Sequence, residues 1–142
     1  MNNFQRYFLL SSIALITACG PDSDTSGSKS GEWVSTWGAV MTSGQLDKIW
    51  TTTKQQSAEY AKRDVLGRCE SAGATDCSLV ITYSDQCVTM VQSKDGSVNS
   101  IFTADDPQTA QEKSMGYCKR NAKKSDCDLI FTECTQPRYR KY

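Results

Sequence analysis

The sequence predicts an α+β domain made of two copies of one strand-strand-helix-strand unit. A cysteine late in a helix-like stretch, followed by an Asp-Cys pair that opens an apolar run, occurs at Cys69 with Cys77 and again at Cys118 with Cys127. Apolar residues recur at helical spacing before each Asp-Cys pair and alternate after it. These periodicities predict a mainly antiparallel sheet with one face buried against two helices.

The first copy, at about residues 37–86, begins with strand candidates over 37–40 and 48–51. A helix is expected from about Lys54, because Thr53 and Gln56 have the spacing of a capping box. Its inner face carries Ala58, Ala61, Val65 and Cys69.

The second copy, at about residues 87–134, runs from a strand over 87–91 through the hairpin-turn signal at 94–96 into a strand over 98–103. Asp106 is the expected N-cap of the second helix, with Pro107 at its first position. The inner face of this helix carries Ala110, Ser114, Cys118 and Ala122.

The last strand of each copy alternates in polarity, which predicts a single buried face for its apolar residues. In the first copy that face comprises Cys77, Leu79, Ile81 and Tyr83. In the second copy it comprises Cys127, Leu129 and Phe131.

Six cysteines besides Cys19 can pair completely, and they allow 15 connectivities. The duplication favours Cys69 with Cys77 and Cys118 with Cys127, since each pair ties a helix end to the strand that follows it. Cys87 and Cys134 have no counterparts in the other copy and are therefore expected to pair with each other. A zinc site is the alternative, but the chain has no Cys-x-x-Cys spacing and no histidine.

Cys19 closes a short apolar segment with the ending Ile-Thr-Ala-Cys, the form that bacterial signal peptidases recognise before the cysteine is acylated. Residues 1–18 are thus predicted to be a lipoprotein signal peptide and Cys19 the lipidated residue. Gly20 favours the outer membrane, with the protein facing the periplasm. A simple secretory signal with an incidental cysteine is the alternative.

Residues 19–32 are expected to form a flexible tether, because 20–31 lack apolar side chains. The folded part, 33–142, is a single disulfide-rich domain of two repeats with a basic C-terminal tail.

The chain resembles bacterial secreted proteins that carry the domain of unknown function numbered 4189. The resemblance rests on the Trp37-Gly-Ala opening, the alanine-bearing helix that ends in Cys69, and the two Asp-Cys pairs before strands. It covers about residues 37–134 and implies no established catalytic residues.

Catalytic chemistry finds little support in the sequence. Without histidine there is no Ser-His or Cys-His pair. The carboxylates considered are Asp105 with Asp106, which are better explained by helix capping, and Glu59 with Asp64, which are better explained by a solvated helix face. The repeated Asp76 and Asp126 are interpreted as turn residues, and no enzyme, cofactor or metal is expected.

Charge is polarised along a chain whose total is neutral. Residues 113–142 hold eight Lys or Arg against three Asp or Glu, whereas residues 19–112 hold seven against thirteen. The predicted partner-binding residues are Lys119, Arg120, Lys123, Lys124, Arg138, Tyr139 and Arg140. An ordinary solvated helix face followed by a terminus that is attracted to anionic surfaces is the alternative, and nucleic acid is not an expected partner.

A small, crosslinked, tethered domain suits two kinds of protein. The preferred one is an envelope lipoprotein that binds and neutralises another protein, as an immunity protein against a toxin or an inhibitor of a cell-wall-degrading enzyme. The alternative is a structural or accessory lipoprotein that contacts peptidoglycan or a membrane complex.

Overall fold

The computed structural model describes residues 30–122 and 126–142, so that Cys19, the signal peptide, Lys123 and Lys124 lie outside the described residues. The elements in chain order are β1 (Gly31–Val34), β2 (Trp37–Ser43), β3 (Lys48–Gln55), α1 (Ala58–Ser71), β4 (Ser78–Ser84), β5 (Cys87–Ser93), β6 (Asn99–Ala104), α2 (Pro107–Asn121), β7 (Cys127–Cys134) and β8 (Arg138–Lys141).

The predicted duplication is confirmed by the order of the strands. The first copy, β2-β3-α1-β4, forms an antiparallel sheet in the order β3-β2-β4, and the second copy, β5-β6-α2-β7, forms one in the order β6-β5-β7. Trp37 pairs with Ser84 in the first sheet, and Cys87 pairs with Cys134 at the equivalent place in the second. Each copy is thus a β-hairpin followed by a helix and a last strand that pairs with the free edge of the hairpin's first strand.

The two sheets pack face to face, with one helix outside each, in four layers. Ala39 and Met41 of β2 pack with Val65 of α1 on the helix side. Val40, on the opposite face of β2, packs with Val88 of the second sheet. The predicted α+β class, with antiparallel strands packed on two helices, is confirmed. The strands form two facing sheets rather than one, because both faces of β2 and of β5 are buried and a second sheet is needed to cover them.

A β-bulge in the last strand of each copy corrects the predicted alternation. Val40 pairs with Ile81 but Met41 pairs with Leu79, which leaves Val80 as an extra residue in β4. Ile130 is the extra residue at the equivalent place in β7. Because the bulge shifts the alternation, Cys77 packs on the helix side whereas Ile81 and Tyr83 face the other sheet.

The start of the first helix differs from the prediction, and the start of the second agrees with it. Ser57 is the N-cap of α1, and its hydroxyl accepts a hydrogen bond from the Tyr60 N–H. The strand β3 continues through Gln55, so the spacing of Thr53 and Gln56 does not form a capping box. Asp106 caps α2 by accepting from the Thr109 N–H at 2.8 Å.

The inner faces of both helices are buried as predicted. In α1 the buried residues are Ala61, Val65 and Cys69, while Ala58 is half-buried. In α2 and its C-cap they are Ala110, Ser114, Cys118 and Ala122. Ser114 lies in this apolar face because its hydroxyl donates to the Thr89 carbonyl at 2.9 Å.

All three predicted disulfides are present. Cys69–Cys77 and Cys118–Cys127 each join the end of a helix to the strand that follows it. Cys87–Cys134 joins β5 directly to β7. The oxidised cysteines therefore crosslink each copy internally.

The two ends of the double sheet are different surfaces. We call one the turn end, formed by the β2–β3 turn (44–47) and the β5–β6 turn (94–98), and the C-termini of both helices also lie there. We call the other the ribbon end, formed by the junctions 35–36, 85–86 and 135–137. At the ribbon end each copy is closed by an equivalent hydrogen bond between the residues that flank its first and last strands, from the Asp85 N–H to the Thr36 carbonyl at 3.1 Å in the first copy and from the Thr135 N–H to the Gln86 carbonyl at 2.8 Å in the second.

The first and last strands form a separate two-stranded ribbon at the ribbon end. β1 pairs antiparallel with β8, so the predicted basic tail is a strand. The Trp33 and Tyr139 rings meet edge to face at 5.5 Å, and Glu32 forms an ion pair with Arg140. Strand β1 thus starts at Gly31, within the range 19–32 that was assigned to the tether.

Candidate interaction surface

A crevice opens between the two sheets at the turn end. It consists of adjoining hollows of about 550 Å³ and 280 Å³, whose walls share Thr42, Met90 and Asn99. Met90 is almost completely buried. The crevice therefore runs between the sheets over an apolar floor, with polar side chains beside it.

The bulges place an aliphatic side chain at each side of this crevice. Val80 lines the smaller hollow together with Ile101, and Ile130 lines the larger one together with Ile49. Without the extra residue, each strand would place one fewer apolar side chain here. The two copies thus contribute equivalent residues to one surface.

Exposed aliphatic side chains are confined to these bulged strands within the described ranges. They are Leu79, Val80, Leu129 and Ile130, each 38–43% exposed. A bulge disrupts the ladder of hydrogen bonds at an edge strand and so discourages the pairing of another strand there. We conclude that side chains, rather than a free strand edge, are available for contact at this surface.

The rim of the crevice is polar and is held by local hydrogen bonds. Asp76 accepts bonds from the Ser43 hydroxyl and, at 2.8 Å, from the Gln45 N–H, which fixes the β2–β3 turn. These bonds lower the pKa of the Asp76 carboxyl below its usual range, and the bond from Ser43 has the largest effect. The equivalent Asp126 meets Lys94 of the β5–β6 turn at 3.4 Å. Each aspartate thus precedes the last strand of its copy and contacts the hairpin turn beside it. This agrees with their interpretation from the sequence as turn residues.

The predicted partner-binding residues do not form one patch. Lys119 and Arg120 are exposed in the last turn of α2, at the turn end. Arg138, Tyr139 and Arg140 belong to β8, at the ribbon end. Since β7 separates the two groups, they lie roughly 25 Å apart along its eight residues.

Two of the carboxylates considered for catalysis, Asp106 and Asp64, make structural contacts. Asp106 also accepts a bond from the Thr109 hydroxyl at 2.6 Å, and its bonds to Thr109 lower the pKa of its carboxyl. Asp64 forms an ion pair with Arg68, one helical turn away, at 2.9 Å. Across the described ranges, no three His, Cys, Asp or Glu side chains are grouped so that they could hold a metal ion.

Sequence reasoning missed the crevice because a strict alternation leaves Val80 and Ile130 outside the predicted buried face and contains no bulge. A signal was present: three consecutive apolar residues, 79–81 and 129–131, interrupt the alternation at the same place in both copies. Such a run within an alternating strand is compatible with a bulge that exposes one member.

The fold and this surface define a class of protein: a disulfide-crosslinked α+β domain of two fused repeats with an apolar crevice between its sheets. No helix among the described residues has the length and hydrophobicity needed to cross a bilayer. The chain belongs to the family named domain of unknown function (DUF4189), whose model matches residues 37–134 and so covers both repeats. Neither the curated proteins nor the solved structures contain a match to the chain.

Proposed function

We propose that this protein is a periplasmic envelope lipoprotein that binds and neutralises another protein, either an antibacterial toxin or a cell-wall-degrading enzyme. The observation that carries the proposal is the crevice, where the exposed side chains of Val80 and Ile130 flank the buried Met90. Contacts of this kind, with an apolar centre and a polar rim, are typical of the centres of protein interfaces. In this proposal the protein acts by occupancy, without catalysis, cofactor, metal or nucleic acid.

The rigidity of the crevice supports this function. Two disulfides, Cys69–Cys77 and Cys118–Cys127, fix the starts of β4 and β7 to the ends of the preceding helices, a few residues from each bulge. A surface that is already ordered loses less conformational entropy when it binds a partner. Lys119 and Arg120, at the same end, are positioned to attract an acidic partner.

Substitution of the two bulge residues tests the proposal. We expect Val80→Asn/Ile130→Asn to weaken binding to the partner at least tenfold, because truncation of an apolar interface centre commonly has this effect. The oxidised full chain is used to capture partners from envelope and secreted fractions. Each captured partner is purified, and its affinity for the wild type and for the variant is measured by calorimetry. Suppression of the partner's lytic or toxic activity is the second readout.

The control variant is Tyr60→Asn/Tyr117→Asn, which removes two side chains of similar exposure from the helices. It should bind as the wild type does. Equal affinity of the bulge variant and the wild type would place the contact elsewhere. Capture of resident envelope proteins or peptidoglycan alone, with no activity suppressed, would favour the structural or accessory role instead.

Lipidation of Cys19 is tested separately. The wild-type chain expressed in bacteria should incorporate a labelled fatty acid and sediment with outer membranes, whereas Cys19→Ser should incorporate none, because the thiol is the acylated group. An unlabelled wild type that is recovered as a soluble secreted protein would show that the segment is a simple secretory signal.

A further inference from the structure

The β1–β8 ribbon has two chemically different faces. Opposite residues of an antiparallel pair share a face, so Trp33 and Tyr139 lie on the same side, and Lys141 lies two residues along from Tyr139. Glu32, Arg138 and Arg140 occupy the other side. The ribbon therefore combines an aromatic face with a charged one.

The aromatic face is open to solvent. Trp33 is 72% exposed and Tyr139 is 43% exposed, although their rings contact each other. Gly31 allows this arrangement, because a Cβ at that position would overlap the Tyr139 ring and the Arg140 carbonyl. The ring of Tyr139 consequently lies along the ribbon, and its hydroxyl meets the Ser30 hydroxyl at 3.1 Å.

The charge of the ribbon is positive. Glu32 is neutralised by Arg140. Within the part of the chain that the structure describes, Arg138 and Lys141 form no ion pair with a carboxylate. Two cations thus remain on the ribbon, Lys141 on the aromatic face and Arg138 on the opposite face.

The position of the ribbon restricts what it can meet. Eleven residues separate Cys19 from Gly31, and even fully extended they reach at most about 40 Å. If Cys19 carries lipid, the ribbon lies within this reach of the bilayer surface. The ribbon also lies outside residues 37–134, so it is an addition to the part of the chain that defines the family.

We propose that the ribbon docks on the surface of an anionic phospholipid bilayer, with Trp33 and Tyr139 in the interface, Lys141 of the same face on the headgroup phosphates, and the charge of Arg138 on the opposite face adding electrostatic attraction. The orientation of the anchored domain rests on the proposed lipidation, but the docking itself does not. Trp and Tyr favour the bilayer interface because their rings are apolar with a polar edge, and each nearby cation adds attraction to anionic lipid. Docking directs the turn end, and with it the crevice, away from the membrane.

Vesicle binding of the unlipidated chain from Gly20 to Tyr142, which keeps every described residue, tests the proposal. We expect sedimentation with vesicles of equal parts phosphatidylglycerol and phosphatidylcholine, and little with phosphatidylcholine alone. Arg138→Gln/Lys141→Gln should weaken partitioning into the mixed vesicles roughly 30-fold, the effect of two cations near an anionic surface. Lys119→Gln/Arg120→Gln removes the same charge from the turn end and should leave partitioning nearly unchanged.

A second readout follows the aromatic face. Brominated lipids should quench part of the tryptophan fluorescence of the wild type and less of that of Trp33→Ser, because Trp33 is the most exposed tryptophan. Absence of vesicle binding at low salt, or an equal loss in the two charge variants, would overturn the proposal. Binding to isolated peptidoglycan but not to vesicles would also overturn it. Since the chain carries no lipid here, a failure of Cys19 acylation or of partner binding leaves these outcomes unaffected.

Discussion

Replacement of Cys87 and Cys134 together by serine is expected to lower the free energy of unfolding by about 4 kcal/mol. Their disulfide closes a loop with a sequence separation of 47, and the loop-entropy relation gives this value for a loop of that length. The bridge links β5 to β7, and in the equivalent position the first copy has Trp37 and Ser84 without a crosslink. Urea unfolding of the oxidised variant, followed by circular dichroism, measures the change.

The two short bridges are the controls for this prediction. Cys69→Ser/Cys77→Ser and Cys118→Ser/Cys127→Ser open loops with separations of 8 and 9, so each should lower the stability by about 2.5 kcal/mol. The ranking depends on loop length alone. It would be refuted if either short-loop variant were as unstable as the Cys87 and Cys134 variant, or less stable.

Tyr83→Ala is expected to lower the free energy of unfolding by about 3 kcal/mol, the scale for truncation of a buried aromatic side chain. Tyr83 packs between the sheets with Val40 and Val88, and its ring lies against the backbone of Gly38, where a Cβ would overlap it. Thermal and urea unfolding measure the loss.

Tyr83→Phe is the matched control, because it removes only the hydroxyl. That hydroxyl is buried and has no hydrogen-bond partner among the described residues. Since a buried polar group without a partner destabilises a fold, Phe should equal the wild type or exceed it by up to about 1 kcal/mol. A loss in Tyr83→Phe comparable to that in Tyr83→Ala would show that the hydroxyl makes a stabilising interaction.

The same residue predicts a dependence on alkaline pH. Burial, and then the negative charge of Glu133, raise the pKa of Tyr83 above its ordinary value of 10.0. The unfolded chain therefore releases this proton first, so stability is complete below pH 10 and falls as the pH rises above it. Tyr83→Phe should lose less stability than the wild type over that range, and an identical loss in both would contradict the assignment.

The sequence predicted those features that depend on local spacing. Asp106 and Pro107 mark the start of α2, because a capping side chain acts within one helical turn. The repeated cysteines identified all three disulfides, since two pairs are local and the third was the remainder. The capping box at Thr53 was wrong because β3 extends through Gln55, and pairing with Trp37 of β2 holds that end of the strand.

The spacing of residues did not predict the two surfaces proposed for binding, the crevice and the β1–β8 ribbon. An alternating pattern reports which residues share a face but not where a bulge shifts the alternation, so Leu79 and Leu129 were assigned to the core. The charged residues were grouped by their proximity in sequence, yet Lys119 and Arg138 lie at opposite ends of β7.

By itself, the sequence therefore determined the duplication, the family and the disulfide pairs, because each of these is written in the spacing of residues along the chain. Only the tertiary structure decided that there are two facing sheets, a crevice between them and a ribbon beside them. These depend on contacts between distant residues, such as Glu32 with Arg140 across 108 positions. No local pattern encodes such pairings, because they form only when the packing of the whole domain brings the strands together.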